Sequence, residues 1–368
     1  MPEDTDLSTR SHASRSTANP RHPTREKRRD WSLDVAKGFA IFLVVFGHSL
    51  DGLIASGFLP SSLAWPTLTV FVLYLFHIPL FFVVSGHLAS GKRRSAQATV
   101  GKLAVTLVYP YFLWSIMEGL ALVYISPYTH SNHVSMSETY KILWIPIVPY
   151  GFLYALFLCQ AGYLALRRLS HATQLAIAAV VFLAPQFFLG LIGKAHLQII
   201  PETVQGFLYF ILGAVSVSQV RQFGRWVAMT ATVIFILFAI VFYQSQFSGA
   251  MAAPAALPAG IAGIIATLAW SRMLASRGGW LAGMLAFWGR YSMSIYVMHI
   301  FFTAGVRIVL KRLAVASPQT SGTTILVAAA FEIIAGTSAG IAIPLAINWA
   351  LSKFDLDPWF GVQHMETA

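Results

Sequence analysis

A chain of 368 residues that is 57% hydrophobic and only 11% charged, with mean hydropathy +0.66, holds more apolar sequence than a soluble core can cover. That excludes a soluble globular protein and makes the chain an integral membrane protein, in which a formal net charge of +11 sets orientation and does not mark a nucleic-acid partner. One cysteine, Cys159, excludes an internal disulfide, and its apolar neighbours (LFLCQAG) disfavour a reactive thiolate.

Residues 1–29 are rich in Ser, Thr, Pro, Arg and His and nearly devoid of large apolar side chains, so they read as a disordered basic cytoplasmic tail. Next comes RDWSLDVAKGFAIFLVVFGHSLD, from Arg29 to Asp51. Its apolar run is longer than a usual signal-peptide core and lacks a convincing small-residue cleavage site, so it is the first membrane helix. Lys37 and His48 are eleven residues apart. On a helix that places them within roughly 20° of one face and about 16 Å apart along the axis. Ionisable groups held in hydrocarbon are candidates for function, and an imidazole can accept a hydroxyl proton as a general base. Asp34 stands three residues before Lys37, positioned to pair with it.

The sequence predicts an all-α integral membrane fold of about ten transmembrane helices. They fall near 35–55, 66–89, 103–125, 142–166, 174–193, 203–219, 227–246, 253–274, 291–310 and 324–350. With the N-terminus inside, the inner connections hold Lys92, Arg93, Arg94, Lys102, Arg167, Arg168, Arg221, Arg225, Arg272, Arg277, Arg290 and Lys353. The outer ones hold Lys141, Lys194, Lys311 and Arg312, so both termini are expected in the cytoplasm. The domain reading is one transmembrane domain over 30–351 and a short C-terminal tail over 352–368.

The second helix, LYLFHIPLFFVVSGHLASGKRR, carries His77 before a proline, an expected break at Ser85, Gly86 and His87, and then Lys92, Arg93 and Arg94. Pro79 frees a backbone carbonyl and Gly86 permits close approach or an irregular turn, both tolerated at membrane depth where protein or a cavity covers them. The basic cluster has the chemistry to clamp phosphates at the cytoplasmic mouth, and it also satisfies the positive-inside rule with no ligand at all. In the third helix Glu118 lies one turn beyond Trp114, a carboxylate that must be neutral, paired or facing water. In the ninth, Ser292, Tyr296 and His299 share nearly one stripe, which suits polar contact between helices as well as catalysis. Arg307 and Glu332 read as an intramembrane pair with a structural role. His130, His133 and Glu138 in the loop 126–141 are weak grounds for a metal, and none is expected.

These residues, taken together, resemble the acyltransferase-3 family of multi-pass membrane acyltransferases, and within it the fucose 4-O-acetylase-like branch. The resemblance covers roughly 29–350 and rests on three stretches in order: AKGFAIFLVVFGH, with Lys37 and His48 as basic residue and histidine; FHIPLFFVVSGHL, with Ser85 and Gly86; and GRYSMSIYVMHIF, ending in His299. Lysine at 37 replaces the commoner arginine, His87 stands where an aromatic is more usual, and PYGFLYALFL lacks a tryptophan often found there. The resemblance implies O-acyl transfer, chiefly O-acetyl, from cytoplasmic acetyl-CoA to a hydroxyl of a surface glycan or a lipid-linked saccharide precursor, at the cell (inner) membrane and with no bound cofactor.

In that reading Lys37, Lys92, Arg93 and Arg94 hold the CoA, whose pantetheine arm runs along the first helix. His48, Ser85, Glu118 and His299 do the chemistry, with His48 as base and a hydroxyl or backbone donor near Ser85 for the oxyanion. Asp34, His77, Gly86, Trp114, Ser292 and Tyr296 line the pocket. The alternative is a transporter or flippase that moves a polar solute or lipid-linked sugar through the same cavity.

Overall fold

The long apolar stretches wind into helices because in a membrane each backbone polar group must be satisfied within its own segment. The structure, a computed structural model, describes residues 31–57, 59, 63–91, 95–125, 149–192, 199–216, 223–248, 253–315 and 322–365. Among them the regular elements are helical: α1 (Trp31–Ala55), α2 (Ala64–Tyr74), α3 (His77–Ser90), α4 (Ala96–Leu103), a π-turn (Ala104–Val108) and α5 (Tyr109–Ile125). Then follow α6 (Gly151–Leu166), α7 (His171–Ile192), α8 (Ile199–Ser216), α9 (Arg225–Ser248), α10 (Ala253–Arg277), α11 (Trp280–Arg290), α12 (Ser292–Val315), α13 (Gly322–Lys353) and a 3-10 turn (Asp357–Phe360).

Among the described residues, seven stretches are long and apolar enough to cross a membrane: Trp31–Ala55, Ala64–Ser90, Ala96–Val123, Arg225–Gln244, Ala256–Arg277, Ser292–Leu313 and Leu326–Lys353. Three shorter apolar helices, Gly151–Leu166, His171–Ala184 and Thr203–Ser216, lie between the third and fourth of these. α1 is buried nearly all round, with Val35, Ala36, Ala40, Ile41, Val44 and Val45 at or near zero exposure. A helix apolar on every side belongs inside a bundle, and α1 packs against α2, α3, α10, α11, α12 and α13. α9 does the opposite, exposing Val233, Ile236, Leu237, Ile240 and Val241 on a face suited to lipid.

Small residues let backbones meet. An added Cβ at Gly38 would lie 1.8 Å from the Leu285 carbonyl oxygen, and one at Gly289 the same distance from that of Asp34, so α1 and α11 touch along their main chains. α11 was not among the expected spans. Its eleven residues are too few to cross, and its buried positions Ala282, Leu285, Ala286 and Gly289 are the spacing of one helical face.

The second span breaks elsewhere than expected. α3 runs unbroken through Ser85, Gly86 and His87, and the chain turns at Leu75 and Phe76, where Phe76 has φ −136° and ψ −26°. Pro79 has no N–H to return to Leu75 O, which weakens the helix at the point where the chain turns. Gly86 serves close approach: a Cβ there would lie 1.9 Å from Phe210 O of α8. Proline also explains the π-turn, because Pro110 cannot bond the carbonyl four residues back and the preceding turn widens. After α13 the chain folds back onto α5, with Tyr109 Oη donating to Trp359 O at 2.6 Å and Trp114 Nε1 to Phe360 O at 2.9 Å.

Candidate functional site

The break after α2 aims two side chains at α1. Tyr74, the last residue of α2, and His77, the first of α3, have ring centroids 4.9 Å apart, and Tyr74 lies edge-on to His48 at 6.4 Å. His299 of α12 completes the group, its ring centroid 5.2 Å from that of His48. Three imidazoles from three helices thus gather around one point. His77 and His299 are buried and His48 is half-buried.

Backbone carbonyls set the tautomers of the two buried rings. His77 Nδ1 donates to Leu73 O, the carbonyl at the broken turn, and His299 Nδ1 donates to Tyr296 O at 2.7 Å. A carbonyl can only accept, so each Nδ1 carries the proton and each Nε2 keeps its lone pair. His299 Nε2 is buried with no hydrogen-bond partner among the described residues. Buried acceptors are rarely left so, and a hydroxyl or water between these rings would satisfy it. The arrangement can therefore hold and deprotonate a hydroxyl.

A second feature lies along α3. Ser85, eight residues past His77 and so about two turns or 12 Å further on, helps line a cavity of about 780 Å³ with Lys102, Thr106, Gln160, Arg167 and Arg168. α3, α4, the π-turn and α6 supply its walls, and no α1 residue lines it. Lys92, Arg93 and Arg94 fall outside the described residues, as do His130, His133 and Glu138. The cavity nonetheless has cations, from residues whose sequence signal was only the positive-inside pattern.

The other expected residues occupy distinct places. Lys37 pairs with the buried Asp34 at 2.8 Å, near the start of α1 where α11 crosses it. α1 is continuous, so Lys37 stays about 16 Å from His48 along the axis. Tyr296 Oη donates to Pro149 O, and Tyr150 Oη donates to Val297 O at 2.8 Å, which ties the entry of α6 to the turn of α12 that presents His299. Ser292 is half-buried at the start of α12. Glu118 is buried on α5, one carboxylate oxygen unpartnered among the described residues, with Tyr150 in electrostatic reach. Trp114 is buried in the same core as Tyr150 and Tyr296, its indole N–H committed to Phe360 O. Arg307 and Glu332 do pair, at 3.9 Å. Asp355, Asp357 and His364 are close enough together for a metal, and His364 Nδ1 donates to Asp357 at 3.1 Å. Tyr74 was missed because only the broken turn, invisible as a spacing, brings it to His48.

Comparison with known proteins agrees with this picture. The Acyltransferase domain family matches residues 30–349. Two curated relatives are each described as Nodulation protein NolL. The one from Mesorhizobium japonicum is 39% identical over 94 residues, covering 25% of this chain and 24% of that protein. The one from Sinorhizobium fredii is 29% identical over 205 residues, covering 53% and 50%. The chain thus spans no more than half the length of the curated relatives it matches. No solved structure matches it. Because the family match takes in every helix from α1 through nearly all of α13, with the histidine cluster and the cationic cavity inside it, the chain belongs to the acyltransferase-3 family and is a multi-pass membrane protein.

Proposed function

We propose that this chain is an O-acetyltransferase of the cell (inner) membrane that moves an acetyl group from acetyl-CoA to a hydroxyl of a surface glycan or its lipid-linked precursor. The observation that carries the reading is the group of three imidazoles around His48, with an unpartnered ring nitrogen on His299 beside it. The donor enters through the cationic cavity, where Lys102, Arg167 and Arg168 hold the CoA phosphates, with Lys92, Arg93 and Arg94 of the sequence as further phosphate ligands. Lys37 supports the same end. Ser85 and the π-turn guide the thioester arm toward α3 and the histidines. An enzyme of this kind needs no bound cofactor, since acetyl-CoA is itself a substrate.

In the transfer step an unprotonated ring nitrogen of His48 takes the proton from the acceptor hydroxyl as its oxygen attacks the thioester carbonyl. The new C–O ester bond forms, the C–S bond breaks, and the CoA thiolate leaves with the proton returned by the imidazolium. Tyr74 Oη stabilises the oxyanion. His299 and His77, held in one tautomer by their carbonyl partners, orient the hydroxyl and fix the pocket. Glu118, buried on α5 within electrostatic reach of Tyr150, borders the same core.

The fold suits ten crossings, the seven long spans and the three shorter helices, with both termini cytoplasmic. Membership of an acyltransferase family favours this enzyme over a transporter using the same helices. The test compares ester-linked acetyl in the host's surface polysaccharides with and without the gene, and locates the ester by NMR. Equal acetyl content in the two strains refutes the reading.

A further inference from the structure

Beyond the histidines, α1 continues toward Asp51, and another set of polar groups lies there. Gly52 is one turn, about 6 Å, past His48. A Cβ at Gly52 would lie 1.7 Å from Arg307 Nη1, so the guanidinium rests directly on the α1 backbone at that point. On α12, His299, Thr303 and Arg307 fall at every fourth position and share one face, which places Arg307 on the same side of that helix as the imidazole. Arg307 is also within electrostatic reach of His48.

Glu332 of α13 faces this guanidinium. It is only 2% exposed, and neither of its carboxylate oxygens has a hydrogen-bond partner among the described residues. Arg307 Nη1 is unpartnered too, and the two groups stand 3.9 Å apart. That is an ion pair too wide for a hydrogen bond. Ser49 Oγ, fully buried, likewise lacks a partner. A Cβ on Gly336 would come within 3.1 Å of Ser49 Oγ and 3.7 Å of Glu332 Oε1, so the hydroxyl and the carboxylate look onto one space kept open by a missing side chain. A structural salt bridge in a membrane would close to hydrogen-bonding distance and satisfy these atoms. Here two charges and a hydroxyl are held apart, one turn from the reaction centre.

We propose that Ser49, Arg307 and Glu332 form the acceptor subsite, which binds vicinal hydroxyls of an uncharged sugar and presents a neighbouring hydroxyl to His48; this deepens the acetyltransferase reading and rests on it. A hydroxyl seated between the charged groups donates to a Glu332 oxygen and accepts from Arg307, the pairing that a 3.9 Å gap leaves room for. The charge balance sets the sugar class. Asp51, exposed on α1, is in electrostatic reach of both His48 and Arg307, so the guanidinium is already balanced by Glu332 and Asp51. An anionic sugar such as a uronic acid would find no free cation there, whereas a neutral pyranose needs none.

The test uses the purified full chain in proteoliposomes, radiolabelled acetyl-CoA, and methyl glycosides of neutral hexoses, a 6-deoxyhexose and a uronic acid as acceptor probes. The wild type is expected to acetylate neutral glycosides and to discriminate against the uronic acid by about tenfold or more, and Glu332→Gln to raise the acceptor KM by a similar factor while the acetyl-CoA KM stays within about twofold. Because Glu332→Gln alone strands a buried guanidinium, the double variant Arg307→Gln/Glu332→Gln, which removes both charges together, is measured beside it with its elution profile in detergent. An unchanged acceptor KM in a folded double variant overturns the subsite while leaving the acetyltransferase intact. Acetyl-CoA turnover without acetylation of any neutral glycoside overturns it as well. Absence of any turnover by the wild type removes the acetyltransferase reading, and the subsite with it.

Discussion

The crossing of α3 and α8 sets where His77 and Ser85 stand, and it depends on two glycines that face each other's backbones. A Cβ at Gly86 would lie 1.9 Å from Phe210 O and 3.0 Å from Ala214 N, and one at Gly213 would lie 1.9 Å from Val83 O. Ordinary contact begins at 3.4 Å, and both obstacles are main chain, so alanine at either position must push the helices apart by about 1.5 Å. Overpacking of this kind costs about 1–3 kcal/mol. Once one alanine has separated the helices the second meets only ordinary contact, so the double variant should cost well under the sum of the singles. The assay is thermal unfolding of the detergent-solubilised protein followed by the monodisperse fraction in size-exclusion chromatography. Gly86→Ala and Gly213→Ala should each lower the midpoint clearly, and the double variant should lie near the worse single. Wild-type stability in either single, or strict additivity, would refute the close backbone crossing.

Other consequences follow from the same geometry. Lys102→Gln combined with Arg168→Gln should raise the acetyl-CoA KM by about tenfold, with the wild-type KM itself rising as salt screens the cavity. A salt-independent KM would count against phosphate binding there. Tyr74→Phe removes the hydroxyl of the ring that lies edge-on to His48 and should lower kcat by about 10²-fold with little change in either KM, read in steady-state acetyl transfer. Trp114→Phe deletes the hydrogen bond to Phe360 O, costing about 0.5–1.5 kcal/mol, and should speed proteolysis at the C-terminal segment. Protection of that segment in the variant would show that the bond does not hold it.

Much of the helical framework is legible in the sequence, because runs of apolar residues long enough to span a membrane have few other solutions. The approach of His48 and His299 is not. Each sits on its own helix, and only the packing of α12 against α1 brings their rings to 5.2 Å. Lys37 and His48 show the limit of reading one helix by periodicity: the spacing gives a shared face, yet Lys37 is taken up by Asp34 at the far end of it. The kink in the second span was sought at Gly86, where the sequence offers flexibility, and lies at Leu75 and Phe76, where Pro79 withholds a hydrogen bond. Glycine is ambiguous between bending and close packing until the neighbouring helix is known. α11 was hidden for a related reason, since eleven residues with a small-residue face look like loop when only membrane-length runs are sought.

The central claim is that His48 performs the proton transfer from acceptor to imidazole that acetylation requires. Transfer of label from radiolabelled acetyl-CoA into membrane glycan, measured for wild type and His48→Ala at equal amounts of inserted protein, tests it most directly. A fall in rate of about 10²–10⁴-fold with acetyl-CoA binding retained is the expected result. Transfer by His48→Ala at a rate near that of the wild type would contradict it.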